Sequence, residues 1–174
     1  GTLLSKSELI ESKAITQLAG LLPRRQQHAD WNLVYSTYED GMSLSAMYRN
    51  LKRLNEPCIM FVRDTKKHVF GVYTNEMWKN KGEKFYGSGE SFMFKLKPDL
   101  KTYRWTGKNN YVMLGADTHV MVGGGTGIAG LWLDEGLMHG SSGQTTTFAN
   151  ESLSSTPDFL IDGLEVWHFV EPEF

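Results

Sequence analysis

Cysteine is almost absent from this 174-residue chain, where Cys58 stands alone. A disulfide framework and a thiolate metal cluster within one chain are thereby excluded, and a reducing compartment is the simpler setting. No run approaches the roughly 18 consecutive apolar residues of a membrane span. Ser5, Lys6, Ser7 and Glu8 interrupt the stretch where a signal-peptide core would sit. Charge of one sign is lacking too: a net charge of -2 and a pI near 6.2 disfavour nucleic acid as a partner. No repeat or low-complexity tract marks a linker, so one domain over residues 1–174 is expected. Gly1 to Ser5 fits the G-x-x-x-S part of a myristoylation signal without the initiator methionine. Gly1 is therefore read as a scar, and the chain as a domain excised from a longer protein.

What is present divides into a helical start and a succession of short strands. Ser5 and Glu8 have the spacing of a capping box, in which a hydroxyl and a carboxylate satisfy the free amides of a helix start. Ile10, Ala14, Leu18 and Leu21 follow at helical intervals until Gly20 and Pro23 stop the pattern. A second helix is predicted from Ser43, with Leu44, Met47, Tyr48, Leu51 and Leu54 on one face and Asn55-Glu56-Pro57 as its end. Each helix has a single apolar stripe, as a helix does when it covers something on one side.

Trp31 to Tyr35 alternates, Cys58 to Val62 is a short apolar run, and RDTKKH reads as a hairpin tip before Val69 to Tyr73. Phe92, Phe94 and Leu96 share one face of a strand, with Met93, Lys95 and Lys97 on the other. Pro98 and Asp99 turn the chain toward Thr102 to Thr106. Further strands are predicted at Tyr111 to Leu114, Val120 to Val122, Ile128 to Leu133 and, past an Asp134-Glu135-Gly136 turn, Leu137 to His139. The last runs from Leu164 to Phe169. This order predicts an α+β fold, mostly β: a two-sheet antiparallel β-sandwich flanked by two main helices. Trp31, Leu33, Met47, Leu51, Ile59, Phe61, Phe92, Phe94, Trp132 and Trp167 are predicted to close one core.

Gly125-Thr126-Gly127-Ile128-Ala129-Gly130 is a literal G-x-G-x-x-G behind an apolar run. A dinucleotide fingerprint needs a helix after its glycines, because the pyrophosphate rests on that helix's N-terminus. Gly136, Gly140 and Gly143 follow closely instead, in a strand-like alternation, and no Gly-Lys-Ser/Thr completes a Walker loop. The glycines are read as conformational, with at least one at positive φ, and no nucleotide is expected.

The same residues carry a resemblance. Gly89-Glu90-Ser91-Phe92 ahead of a strand, the glycines Gly123, Gly124, Gly125 and Gly127, then Leu131-Trp132-Leu133-Asp134, His139-Gly140, Thr147-Phe148 with Asn150, and Glu165-Val166-Trp167 together resemble a TLDc domain. This is the module of the oxidation-resistance proteins and of some nuclear-receptor coactivators. WNLVYSTYEDGMSLSAMYRNL and VFGVYT are similar to the family's opening half, and the likeness runs over about residues 5–170. The resemblance implies a sandwich of two antiparallel sheets flanked by helices. It implies protection against oxidative stress, and binding and regulation of the vacuolar-type proton ATPase, whose peripheral stalk and catalytic sector some members engage. It implies no agreed active site, metal or cofactor, so none is expected. A non-enzymatic, monomeric domain in the cytoplasm follows, with mitochondrial or nuclear pools of the parent protein also compatible.

Several side chains suggest chemistry of their own. Cys58 offers a peroxide-reactive thiol, but CIMFV predicts a buried strand with no adjacent cation, and a packed core residue is the simpler reading. Glu90 offers a general base, against the plainer role of a carboxylate holding loop amides. Asp134, His139 and Ser141 are close enough to suggest a hydrolytic triad, against simple hairpin polarity. The alternative to a binding module is thus a hydrolytic or peroxide-reactive enzyme using Glu90, Asp134, His139 or Cys58. A concave pocket joining Glu90, Asp134 or His139 favours it; flat or convex polar surfaces favour a module. His28, His68, His119 and His168 are scattered without a metal-ligand spacing. From Ser91 to Lys108, five cations (Lys95, Lys97, Lys101, Arg104, Lys108) meet one acid, Asp99. Lys95, Lys97 and Arg104 are expected on the hairpin face opposite the aromatic stripe, as a solvated edge or as a site for an acidic partner that includes Lys101.

Overall fold

The computed structural model describes residues 7–171. Ser5 of the expected capping box lies outside them. Helix α1 spans Ser12–Ala19, later than that box implies, and among the described residues no side chain caps it. Ser7 and Glu8 pin the preceding segment to the sheet instead. Ser7 Oγ donates to a carboxylate oxygen of Glu165 at 2.8 Å, and the Glu8 N–H donates to the other at 2.7 Å. Strand β1 (Asp30–Ser36) leads into a short helix α2 (Thr37–Asp40) and then α3 (Leu44–Leu51). The start of α3 is where the sequence places it, with Ser43 Oγ accepting the Ala46 N–H at 3.0 Å. Helix α2 escapes the apolar-spacing rules because its four residues bury only Thr37.

The remaining strands are β2 (Cys58–Asp64), β3 (Val69–Thr74), β4 (Phe92–Lys97), β5 (Lys101–Arg104), β6 (Met113–Gly115), β7 (His119–Val122), β8 (Leu131–Asp134), β9 (His139–Ser141) and β10 (Asp158–Val170). All pairings are antiparallel, in the order β5-β4-β3-β2-β10-β9-β8-β7-β6, with β1 also on β10. Strand β10 is longer than the Leu164 to Phe169 expected and belongs to both halves. Asp158 to Leu160 pair with β9, and from Ile161 onward the strand pairs with β2, through a register shift between Ile161 and Gly163, and then also with β1. The sheet is thereby folded into two layers, β5-β4-β3-β2-β10-β1 and β6-β7-β8-β9 with the start of β10, as an α+β sandwich requires.

The apolar side chains form two cores, not the one expected. Between the layers, Met60, Val62, Val72 and Met93 meet Val120, Val122, Leu131 and Leu133, and α3 adds Met47 and Leu51. On the opposite face of the first layer, Ala14 and Leu18 of α1 cover Trp31, Ile59, Phe61, Phe92, Phe94 and Trp167. The reason is visible in β2 and β3, which are buried on both faces almost throughout. Leu33 and Trp132 remain partly exposed.

Candidate functional site

Alternation along β7 and β8 sends Val120, Val122, Leu131 and Leu133 inward, so Met121 and Trp132 point out. Ladder register then arranges the outer face of the second layer in two rows. One row reads Met121, Trp132, Ser141, Asp158, and the other His119, Asp134, then His139 and Leu160. The His119 ring stacks on Trp132 with centroids 5.9 Å apart. Unlike the first layer's outer face, this one keeps large apolar groups in solvent: Leu160 is 51% exposed and Met138, in the β8–β9 turn, 54%.

Beside it the β2–β3 turn leans over β10, held by the Thr65 N–H donating to the Leu160 carbonyl at 3.1 Å. A cleft of about 600 Å³ opens between them. Trp132, Phe159 and Leu160 give it apolar walls; Lys66, His139, Ser141 and Asp158 give it a polar rim. Asp64, buried at its base, accepts from Ser154 Oγ at 2.7 Å and from the Lys66 and His68 N–H groups at 2.9 and 3.0 Å. It shapes the turn. Neither Asp64 nor Lys66 was a site candidate by sequence, since only the fold brings their turn beside His139.

Asp134 and His139 do meet, Oδ2 to Nδ1 at 3.1 Å, and Asp134 Oδ1 accepts the Met138 N–H at 2.9 Å and the His139 N–H at 3.2 Å. Burial pushes the Asp134 carboxyl up, but those donors outweigh it and hold the group below its ordinary value. The pair closes a hairpin turn. Among the described residues no hydrogen bond joins Ser141 to His139, whose side chain is 64% exposed. A triad is not assembled, although the concave cleft does reach His139.

Glu90 lies elsewhere. It takes a two-pronged bond from Arg25, at 2.9 and 2.6 Å, which holds its carboxyl below the usual range. The loop amides it was expected to hold are bound by others: Asn75 Oδ1 accepts the Ser88 N–H, and Ser88 Oγ accepts the Glu90 N–H. Cys58 is fully buried against Thr74, 3.3 Å from its hydroxyl, and burial pushes the thiol up to about 12. Among the described residues no three His, Cys, Asp or Glu side chains converge as a metal set.

The glycine run is followed by β8, not by a helix. Gly123, Gly125 and Gly127 have φ of 79°, 95° and 93°, the left-handed region that favours glycine. The Gly124 N–H donates to Thr147 Oγ1 at 2.9 Å and its carbonyl accepts the Thr146 N–H at 3.0 Å. The run is thus knitted to the loop that carries Thr147, Phe148 and Asn150.

The basic hairpin is split between two faces. Phe92 pairs with Arg104 in the β4–β5 ladder, so Arg104 lies on the aromatic face, its guanidinium 4.5 Å from the Phe92 ring centroid, and donates to the Leu21 carbonyl. This corrects the expectation for Arg104: directly paired residues share a face. Lys95 and Lys101 lie on the other face and both donate to Glu151, at 3.0 and 3.1 Å, and Tyr103 donates to the same oxygen. Lys97 sits 3.8 Å from Glu11.

Comparison with known proteins places these residues in context. The family model described as the TLDc domain matches residues 3–170. The chain is 40% identical over 163 residues to nuclear receptor coactivator 7 of Mus musculus, covering 94% of the chain and 17% of that protein. It is 38% identical to oxidation resistance protein 1 of Xenopus tropicalis and 39% to that of Homo sapiens, again over 94% of the chain and 19% and 18% of those proteins. The chain thus spans less than a fifth of the length of these relatives.

Proposed function

We propose, from the premise that this chain belongs to the TLDc domain family, that it is a non-enzymatic regulatory binding module. In this reading it contributes to oxidative-stress resistance by binding and regulating the vacuolar-type proton ATPase, in the cytoplasm. The observation that carries the reading is the match over residues 3–170, which takes in both layers and both cores. The name of the oxidation-resistance relatives supports the stress role. The proton ATPase comes from the family resemblance.

The side chains support binding over turnover. The one thiol is buried and protonated, Glu90 is engaged by Arg25, and Asp134 and His139 serve a turn. In this reading Lys95, Lys97 and Lys101 supply a contact for acidic surface, while Arg104, on the aromatic face, stands apart from it. Lys97→Glu is the cleaner probe of it, because its ion pair with Glu11 is long and exposed, whereas Lys95 and Lys101 both hold Glu151. Such a change slows association more than it alters stability, and raised salt weakens the wild type.

The test is to titrate purified vacuolar ATPase with the domain while following binding, ATP hydrolysis and assembly of its sectors. Saturable binding with a change in activity or assembly is expected. A domain that neither binds nor alters the enzyme defeats the assignment. The enzymatic alternative is favoured only by the cleft at His139. Turnover of a chromogenic ester that disappears in His139→Ala would establish it.

A further inference from the structure

We infer that the outer face of the second layer is a docking surface for an extended segment of a partner protein. The segment anchors an aromatic or branched aliphatic side chain in the cleft and sets a carboxylate against Lys66. The inference rests on the binding-module reading and adds to it the surface and the chemistry of what it holds.

A second hollow, of about 230 Å³, lies beside the glycine run and is lined by Phe85, Tyr111, Met121 and Ile128. Ile128 is 57% exposed and Tyr111 45%. Met121 and Trp132 are cross-strand partners, and Trp132 is also a wall of the cleft. The two depressions therefore share one face, joined by a thioether and an indole. Contiguous apolar surface rimmed by polar groups marks an interaction site, and aromatic or aliphatic anchors in such pockets carry most of the energy of an interface.

The occupant follows from shape and charge. A small molecule is ordinarily enclosed over most of its surface, whereas Leu160 and His139, which line this cleft, are themselves largely exposed. An extended chain continuing along Trp132 and Met121 covers what a small molecule leaves wet. A polyanion is disfavoured because Asp134 and Asp158 belong to the face. Lys67 is paired with Asp162 at 3.0 Å, but no ion pair engages Lys66 among the described residues. Lys66 is the rim cation open to a partner carboxylate.

Two experiments decide it. Binding of the purified domain to purified vacuolar ATPase is compared for wild type, Leu160→Asp, Lys66→Glu and, as a control remote from the face, Lys52→Glu, after thermal melts confirm folding. Leu160→Asp is expected to weaken binding about ten-fold or more, Lys66→Glu by several-fold, and Lys52→Glu not at all. If wild type binds and Leu160→Asp binds equally well, the inference is overturned while the ATPase reading stands. If wild type does not bind, that reading falls and selection of a random displayed peptide library on the domain decides the inference. Enriched peptides should combine an apolar anchor with an acidic residue and lose binding to Leu160→Asp. No enrichment, or peptides indifferent to that substitution, overturns it.

Discussion

Gly140 of β9 lies opposite Phe159 of β10, and the phenyl ring fills the place where a β-carbon on Gly140 would sit, 2.5 Å away. The carbonyl of Trp132 closes the same space at 3.0 Å. Gly140→Ala must displace a core ring that also packs edge-on to Phe70. It is expected to cost about 1–3 kcal/mol, the range for overpacking a tight interior. Gly136→Ala, whose β-carbon meets nothing nearer than Met138 at 3.8 Å, should stay within about 0.5 kcal/mol of wild type. Equal losses in denaturant melts of the two variants would refute the steric account.

Glu165 is fully buried and collects three donors: the Ser7 hydroxyl, the Glu8 N–H and Trp167 Nε1 at 3.2 Å. Glu165→Ala leaves the buried indole N–H unpaired and unties the segment ahead of α1. A loss of about 1–3 kcal/mol is expected, with faster hydrogen exchange at the Glu8 amide even under native conditions. Unchanged exchange there would mean that the segment is held by Leu9 and Ile10 packing alone.

Helix α3 and most strands were legible in local chemistry, whereas α1 starts later than its expected box and the four residues of α2 carry no apolar pattern. Ser43 announced α3, and the apolar run at Cys58 announced β2. What was not legible is where opposite faces of one strand go. Phe61 and Met60 are adjacent and equally apolar, yet serve different cores, and no period-2 pattern can reveal a sheet covered on both sides. The first half of β10 was hidden because Asp158, Asp162 and Gly163 interrupt its apolar character. Trp132, Asp134 and His139 were visible as a motif. Their cleft was not, since Lys66 reaches it only through the turn after β2.

Glu151 gathers Lys95, Lys101 and Tyr103. Burial alone would push its carboxyl up, but the Tyr103 hydroxyl and the two lysines prevail and bring it down to about 2. A carboxyl depressed in the folded state stabilises above its unfolded value and loses that contribution as pH falls through the folded one. Wild type should therefore melt higher than Glu151→Gln near neutral pH, and the gap should shrink between about 4.5 and about 2. A gap that is independent of pH across this window would assign the effect to packing.

The Cys58 thiol should resist both peroxide and disulfide reagents while the domain is folded, because burial keeps it protonated. Labelling by dithiobisnitrobenzoate is expected to follow the unfolding curve in denaturant. Rapid labelling of the native domain, at the rate of a small free thiol, would return Cys58 to consideration as a redox centre. Cys58→Ala, in turn, should leave the proposed binding of the proton ATPase unchanged.

Strand β10 follows β1 to β9 in the chain but stands among β1, β2 and β9 in space. During synthesis, β1 to β9 leave the ribosome before the strand that joins them is free to pair. In that interval β2 and β9 each present an edge without its neighbour, and open edges recruit strands from other chains. The long-range pairing that ends the exposure is also the slow kind, since distant segments must first be brought together. The nascent chain is most in need of a chaperone after Ser141 has emerged and before Val170 has. A chain truncated there would leave an aggregation-prone half-sandwich, not a smaller working domain.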